Sequence, residues 1–66
     1  MITLEEALAD DGVGYSYELE TAGEYPVMSH KLTFTPEARQ RIAARLECMP
    51  DDVPARILSM IEARFG

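Results

Sequence analysis

Sixty-six residues, 47% of them apolar, with a formal charge of −6, leave room for one domain with one thin core, because a domain this small buries only about 60% of the surface its unfolded chain exposes. The apolar content excludes a disordered acidic tail, which combines charge with low hydrophobicity, and Cys48, the only cysteine, excludes an intramolecular disulfide. The start, Met1-Ile2-Thr3-Leu4-Glu5-Glu6, lacks the regions of a secretory signal, and no stretch approaches the roughly 18 apolar residues of a membrane span, so a reducing, cytoplasmic setting without membrane contact is expected.

Thr3-Leu4-Glu5-Glu6 has the spacing of a capping box, in which the threonine hydroxyl takes the Glu6 amide and the Glu6 carboxylate reaches back to Thr3. A short helix over about residues 4–10 should follow, with Leu4, Ala7 and Leu8 as its apolar stripe and Gly12 as a positive-φ stop. Val13 to Glu20 alternates strictly, placing Val13, Tyr15, Tyr17 and Leu19 on one face and Gly14, Ser16, Glu18 and Glu20 on the other.

Thr21-Ala22-Gly23-Glu24 reads as a turn with Gly23 free to take positive φ, and a second extended stretch runs from about Tyr25 to Phe34. Met28, His30, Leu32 and Phe34 share one face of it and Val27, Ser29, Lys31 and Thr33 the other. Because Pro26 has no amide to give a central ladder, either this strand starts after Pro26 or a bulge lies there.

Thr35-Pro36-Glu37 is a strong helix start, with the hydroxyl at N-cap, proline at the first helical position and a carboxylate near the positive end of the dipole. The helix should run to about Cys48, with Ala38, Ile42, Leu46 and Met49 on its core face. Met49-Pro50-Asp51-Asp52 ends it, Asp51 or Asp52 is expected to cap a third helix, and Val53, Ile57, Leu58, Ile61 and Phe65 form its core face. The fold class is therefore α+β over a single domain, residues 1–66. A short N-terminal helix is followed by a two-stranded antiparallel β-hairpin and an antiparallel αα-hairpin, with Tyr15, Tyr17, Leu19, Leu32 and Phe34 laid on the helical pair. A lone two-stranded sheet is marginal in water, so it must lean on the helices or on another chain.

Charge is the most informative functional feature. Residues 1–30 carry Glu5, Glu6, Asp10, Asp11, Glu18, Glu20 and Glu24 with no Lys or Arg, whereas Lys31, Arg39, Arg41, Arg45, Arg56 and Arg64 roughly balance the acids that follow. Little else carries chemistry. His30 and Cys48 are the candidates for reactivity at neutral pH, but Cys48 reads as a small buried hydrophobe and His30 as a half-exposed strand residue beside first-strand carboxylates. Asp10-Asp11 and Asp51-Asp52 lack the spacing of a calcium loop, and no His/Cys cluster offers zinc ligands. No catalytic residue, cofactor or metal is assigned.

Arg39, Arg41, Arg45 and Arg56 lie in the helical pair, yet reading a duplex needs a net positive face, so direct nucleic-acid binding is not expected. The profile of a tiny acidic domain without catalytic residues resembles, in type and not in sequence, the small inhibitors and accessory proteins of phages and mobile elements, anti-CRISPR proteins among them. The expected function is a non-enzymatic inhibitor or regulator binding a protein partner with a basic surface, one that processes nucleic acid. Glu5, Glu6, Asp10, Asp11, Glu18, Glu20, Glu24 and Tyr25 are its expected contacts, and the alternative is a self-associating module, a homodimer through the β-hairpin.

Overall fold

The computed structural model describes residues 2–21 and 23–65. Its elements run in the expected order: α1 (Leu4–Leu8), β1 (Val13–Glu20), β2 (Val27–Phe34), α2 (Pro36–Leu46), a single 3-10 turn at Pro50–Asp52, and α3 (Val53–Phe65).

The capping box is complete. The Glu6 amide donates to Thr3 Oγ1 at 3.2 Å and the Thr3 amide donates to the Glu6 carboxylate at 3.1 Å. With so few apolar residues to bury, α1 ends at Leu8, capped by Ala9, two residues short of the expected boundary. Gly12 is not a positive-φ stop, and neither is Gly23; no described glycine has positive φ. The expected turn at Thr21–Glu24 includes Ala22, which lies outside the described residues.

β1 and β2 pair antiparallel from Val13↔Phe34 to Glu20↔Val27, so β2 starts directly after Pro26. This register sets Tyr15 opposite Leu32, Tyr17 opposite His30 and Leu19 opposite Met28, which puts every apolar residue of the first strand's inward set against one of the second's. A slip of one residue would have turned one strand's set to the other face.

The Thr35 hydroxyl accepts from the Ala38 amide at 3.1 Å, opening α2 as expected. The helix stops at Leu46, because Glu47 takes the left-handed conformation at φ 57°, ψ 45° and its amide bonds back to the Ala43 carbonyl. The chain turns there, and Met49 is thrown out to 67% exposure instead of joining the core face. Asp51 and Asp52 do not cap α3 through their side chains. They occupy the 3-10 turn that Pro50 opens and that leads straight into Val53, where their charge sits near the positive end of the following helix. Left-handed backbone is unfavourable for a residue with a Cβ, so Glu47→Gly should stabilise the fold by about 0.5–1 kcal/mol, seen as a higher urea midpoint at unchanged slope.

The core is helical. Val53, Ile57 and Ile61, at i, i+4 and i+8 on α3, are fully enclosed, and Ile42 and Ala43 of α2, Leu4 and Ala7 of α1 and Ile2 close around them. Only the base of the hairpin joins: Val13, Tyr15, Leu32 and Phe34 pack on this cluster half-buried. Tyr17 and Leu19, expected on the helices, are 61% and 59% exposed. The physical reason is length. Strands of 8 residues reach about 27 Å, whereas the 13 residues of α3 span about 20 Å. The hairpin outruns its support, and the molecule measures 41 × 19 × 19 Å.

Candidate functional site

The seven N-terminal carboxylates and Tyr25 are carried by different parts of the fold: α1 and the turn after it, the outward face of β1, and the connection at the hairpin tip. Three of the carboxylates are taken up by arginines of the C-terminal half. Glu6 of α1 accepts from Arg45 of α2 at 3.0 Å, Glu5 pairs with Arg64 near the end of α3, and Asp10, just beyond α1, takes a two-pronged contact from Arg41 of α2 at 2.7 and 3.1 Å. The anionic first helix is thus fastened onto the cationic helices, and the charge asymmetry along the sequence is partly cancelled across this tertiary contact. By the same contacts, two of the four arginines considered for nucleic acid, Arg41 and Arg45, are already engaged.

These contacts hold the three carboxyls below their ordinary range. Arg41, assisted by the Gly12 amide at 2.9 Å, lowers Asp10 from 3.8 to about 2. Arg64 lowers Glu5, while the Thr3 amide and hydroxyl, then Arg45, lower Glu6. A carboxyl with a depressed folded pKa contributes stability above its unfolded value and loses it as pH falls through the folded one. The thermal midpoint should therefore be level down to about pH 5 and fall between about pH 4.5 and 2 as these groups protonate. Asp10→Asn should flatten the lower part of that profile in a pH series followed by circular dichroism.

The remaining candidates lie elsewhere. Asp11 is exposed in the loop before β1. Glu18 and Glu20 stand on the outward face of β1, about 6.7 Å apart along the strand, with Glu24 and Tyr25 in the connection at the tip. All four residues from Glu18 to Tyr25 named here are exposed, Tyr25 to 77%. Glu18, Glu20 and Glu24 make no ion pair among the described residues. Lys31, the cation of the same sheet face, sits toward the base, opposite Ser16.

His30 is not beside these carboxylates. It occupies the other face of the sheet, half-buried, shares a 2.8 Å hydrogen bond with the Tyr15 hydroxyl and stacks between the Tyr15 and Phe65 rings at 5.9 and 6.2 Å. Cys48 lies in the connection before α3, half-buried against the core, whereas His30 meets the last turn of that helix at Phe65. The two groups considered for reactivity stand at opposite ends of a helix of about 20 Å. Among the described residues no three His, Cys, Asp or Glu side chains gather in a way that would hold a metal ion, and no described helix is long and apolar enough to cross a membrane.

The sequence reading missed the apolar surface on the inward face of the outer hairpin. Tyr17, Leu19 and Met28 are between 42% and 61% exposed there, and Phe65 at the end of α3, stacked on His30 of the same face, is exposed too. The alternation that identified the strands assigns faces; comparing strand length with helix length was the available signal that one face would be covered only in part. Comparison with protein-family models, with curated proteins and with solved structures finds no match to this chain.

Proposed function

We propose that this protein is a non-enzymatic inhibitor or regulator that attaches through its projecting β-hairpin to the basic surface of a nucleic-acid-processing protein. One observation carries the reading: of the N-terminal carboxylates, those of the hairpin, Glu18, Glu20 and Glu24, are exposed and have no cation partner among the described residues, while α1 and the residue pair after it spend three of theirs on the protein's own arginines. A carboxylate already paired has little left to offer a partner, and one standing free on a projecting two-stranded arm steers a basic surface toward it. Tyr25, at the tip, supplies the amphipathic ring that interface centres favour.

Glu18→Lys combined with Glu20→Lys is expected to weaken partner binding at least about tenfold, with most of the loss in the association rate and with reduced salt dependence. Glu5→Gln combined with Glu6→Gln should leave it nearly unchanged, because those groups are already engaged by Arg64 and Arg45. The measurement is capture from host lysate across a salt series, followed by titration of the captured protein against each variant. A nucleic-acid-handling protein that is retained by the doubly reversed hairpin as well as by the natural one would refute the assignment.

A further inference from the structure

Among the described residues β1 pairs with β2 on one side and with no strand on the other, and the ladder fixes which of its backbone groups face that open side. The Thr35 amide donates to the Gly12 carbonyl at 2.8 Å, one step beyond the Val13↔Phe34 pair. In an antiparallel ladder this bond makes Val13↔Phe34 a non-hydrogen-bonded pair. The alternation that follows turns the amides and carbonyls of Gly14, Ser16, Glu18 and Glu20 toward β2 and those of Tyr15, Tyr17 and Leu19 away from it. Among the described residues no turn, loop or cap hydrogen bond reaches the backbone of Tyr17 or Leu19, and every side chain from Ser16 to Glu20 is exposed.

We infer that this edge of β1 receives an extended segment of the protein partner as a third strand, a segment in which basic residues alternate with apolar ones. The inference rests on the function proposed above and adds the form in which the partner binds. Charge complementarity selects the occupant. Glu18 and Glu20 face Ser29 and Val27 across the ladder and have no cation partner among the described residues. A strand added on the open side brings Lys or Arg beside them, the opposite-charge pairing that neighbouring strands favour. Its intervening side chains then fall on the inward face, next to Tyr17 and Leu19, which are 61% and 59% exposed. The two faces of β1 thus ask for two kinds of residue in strict alternation.

The same features turn other occupants away. A second copy pairing its own β1 here near the tip would set Glu18 and Glu20 beside like charges, which is destabilising, and the phosphates of a nucleic acid are repelled by them. A folded basic surface meets the carboxylates but leaves the outward backbone groups of Tyr17 and Leu19 to water. Strand addition uses both, main-chain bonds for affinity and alternate side chains for specificity. Sheet edges are commonly blunted by lysine or proline. The stretch Val13–Glu20 has neither, whereas β2 follows Pro26 and carries Lys31. The edge of β1 is guarded by carboxylates alone, a barrier to another acidic strand and an attraction to a basic one.

The probe is an end-capped peptide alternating Lys and Val, 8 residues long like β1, titrated by nuclear magnetic resonance into the isotope-labelled full chain. The expected result is binding that slows hydrogen exchange at the amides of Tyr17 and Leu19, while those of Glu18 and Glu20, already in the ladder, change little. N-methylation of the valines removes the bonds of an antiparallel added strand, and N-methylation of the lysines those of a parallel one. One methylated peptide should therefore bind at least about tenfold more weakly than the parent and the other about as well. Glu18→Lys combined with Glu20→Lys should weaken the parent peptide by at least about tenfold. The inference is overturned if the parent does not bind up to about 1 mM, if the two methylated peptides do not differ, or if a peptide with the same lysines and valines in two blocks binds equally well. Salt-sensitive capture of a nucleic-acid-processing protein is read separately, so each claim can fail while the other stands.

Discussion

Ile57→Ala is expected to remove a large share of the chain's stability at 25 °C. Ile57 is fully enclosed at the middle of α3, between Val53 and Ile61 and against the clustered side chains of α1 and α2. Truncating such a side chain costs about 2–5 kcal/mol, the sum of lost transfer energy and the cavity left behind. A chain of 66 residues has about 3–10 kcal/mol of stability in total, so one substitution removes a large share of it. The three short helices offer few alternative packings with which to refill the space. Thermal unfolding followed at 222 nm should show the midpoint fall by at least about 10 °C. A fall of only a few degrees would mean that the core is not organised around α3. Leu58→Ala, at a half-buried neighbour on the same helix, should cost clearly less.

Gly12→Ala should be nearly as damaging, for a reason unrelated to backbone freedom. Its φ is not positive, but a Cβ built there would lie 2.3 Å from Thr35 Oγ1 and 2.5 Å from the Ala38 Cβ. Thr35 is the N-cap of α2 and Ala38 is fully buried in its first turn, so neither has room to move without disturbing the helix start. The loop is pinned further by the Thr35 amide, which donates to the Gly12 carbonyl at 2.8 Å, and by the Gly12 amide, which donates to Asp10. Overpacking at such a site costs about 1–3 kcal/mol, and loss of the threonine cap adds about 1 kcal/mol. The control is Gly23→Ala. No atom lies within 4 Å of a Cβ placed there, and the change should fall within about 0.5 kcal/mol of neutral. Equal urea midpoints for the two alanine variants would show that the contact between the α1–β1 loop and α2 is looser than these distances require.

The same loop links stability to the acidic character of the chain. Asp10 holds Gly12 on one side and Arg41 on the other, so the residue that lies at the head of an apparent acidic motif is a fastening between α1, β1 and α2. Of the seven N-terminal carboxylates, Glu5, Glu6 and Asp10 thus fasten the fold, while Asp11, Glu18, Glu20 and Glu24 make no ion pair among the described residues. The proposed function rests on the hairpin members of the second group, and the acid sensitivity expected below about pH 4.5 rests on the first.

What the sequence by itself determined was much of what neighbours a few residues apart govern, although two equally local readings, the positive-φ stop at Gly12 and the side-chain cap from Asp51 or Asp52, failed. The capping box at Thr3 and Glu6, the Thr35-Pro36 helix start and the strict alternation from Val13 to Glu20 each depend on hydrogen bonds or side-chain periods of two to four residues, and they gave the order of elements and the two faces of the hairpin before any tertiary contact was considered. Pairing apolar face with apolar face then fixes the register, once the strands meet. The tertiary structure alone decided which charges remain free, because the partners of Asp10, Glu6 and Glu5 stand 31, 39 and 59 residues away. It alone decided that Gly12 is a close-approach residue, that His30 stacks with aromatic rings and that Tyr17, Leu19 and Met28 stay in water. Those outcomes follow from where whole elements begin, end and cross. A strand announces which way its side chains point, but whether a helix reaches far enough to cover them depends on two lengths and an angle that no local pattern contains.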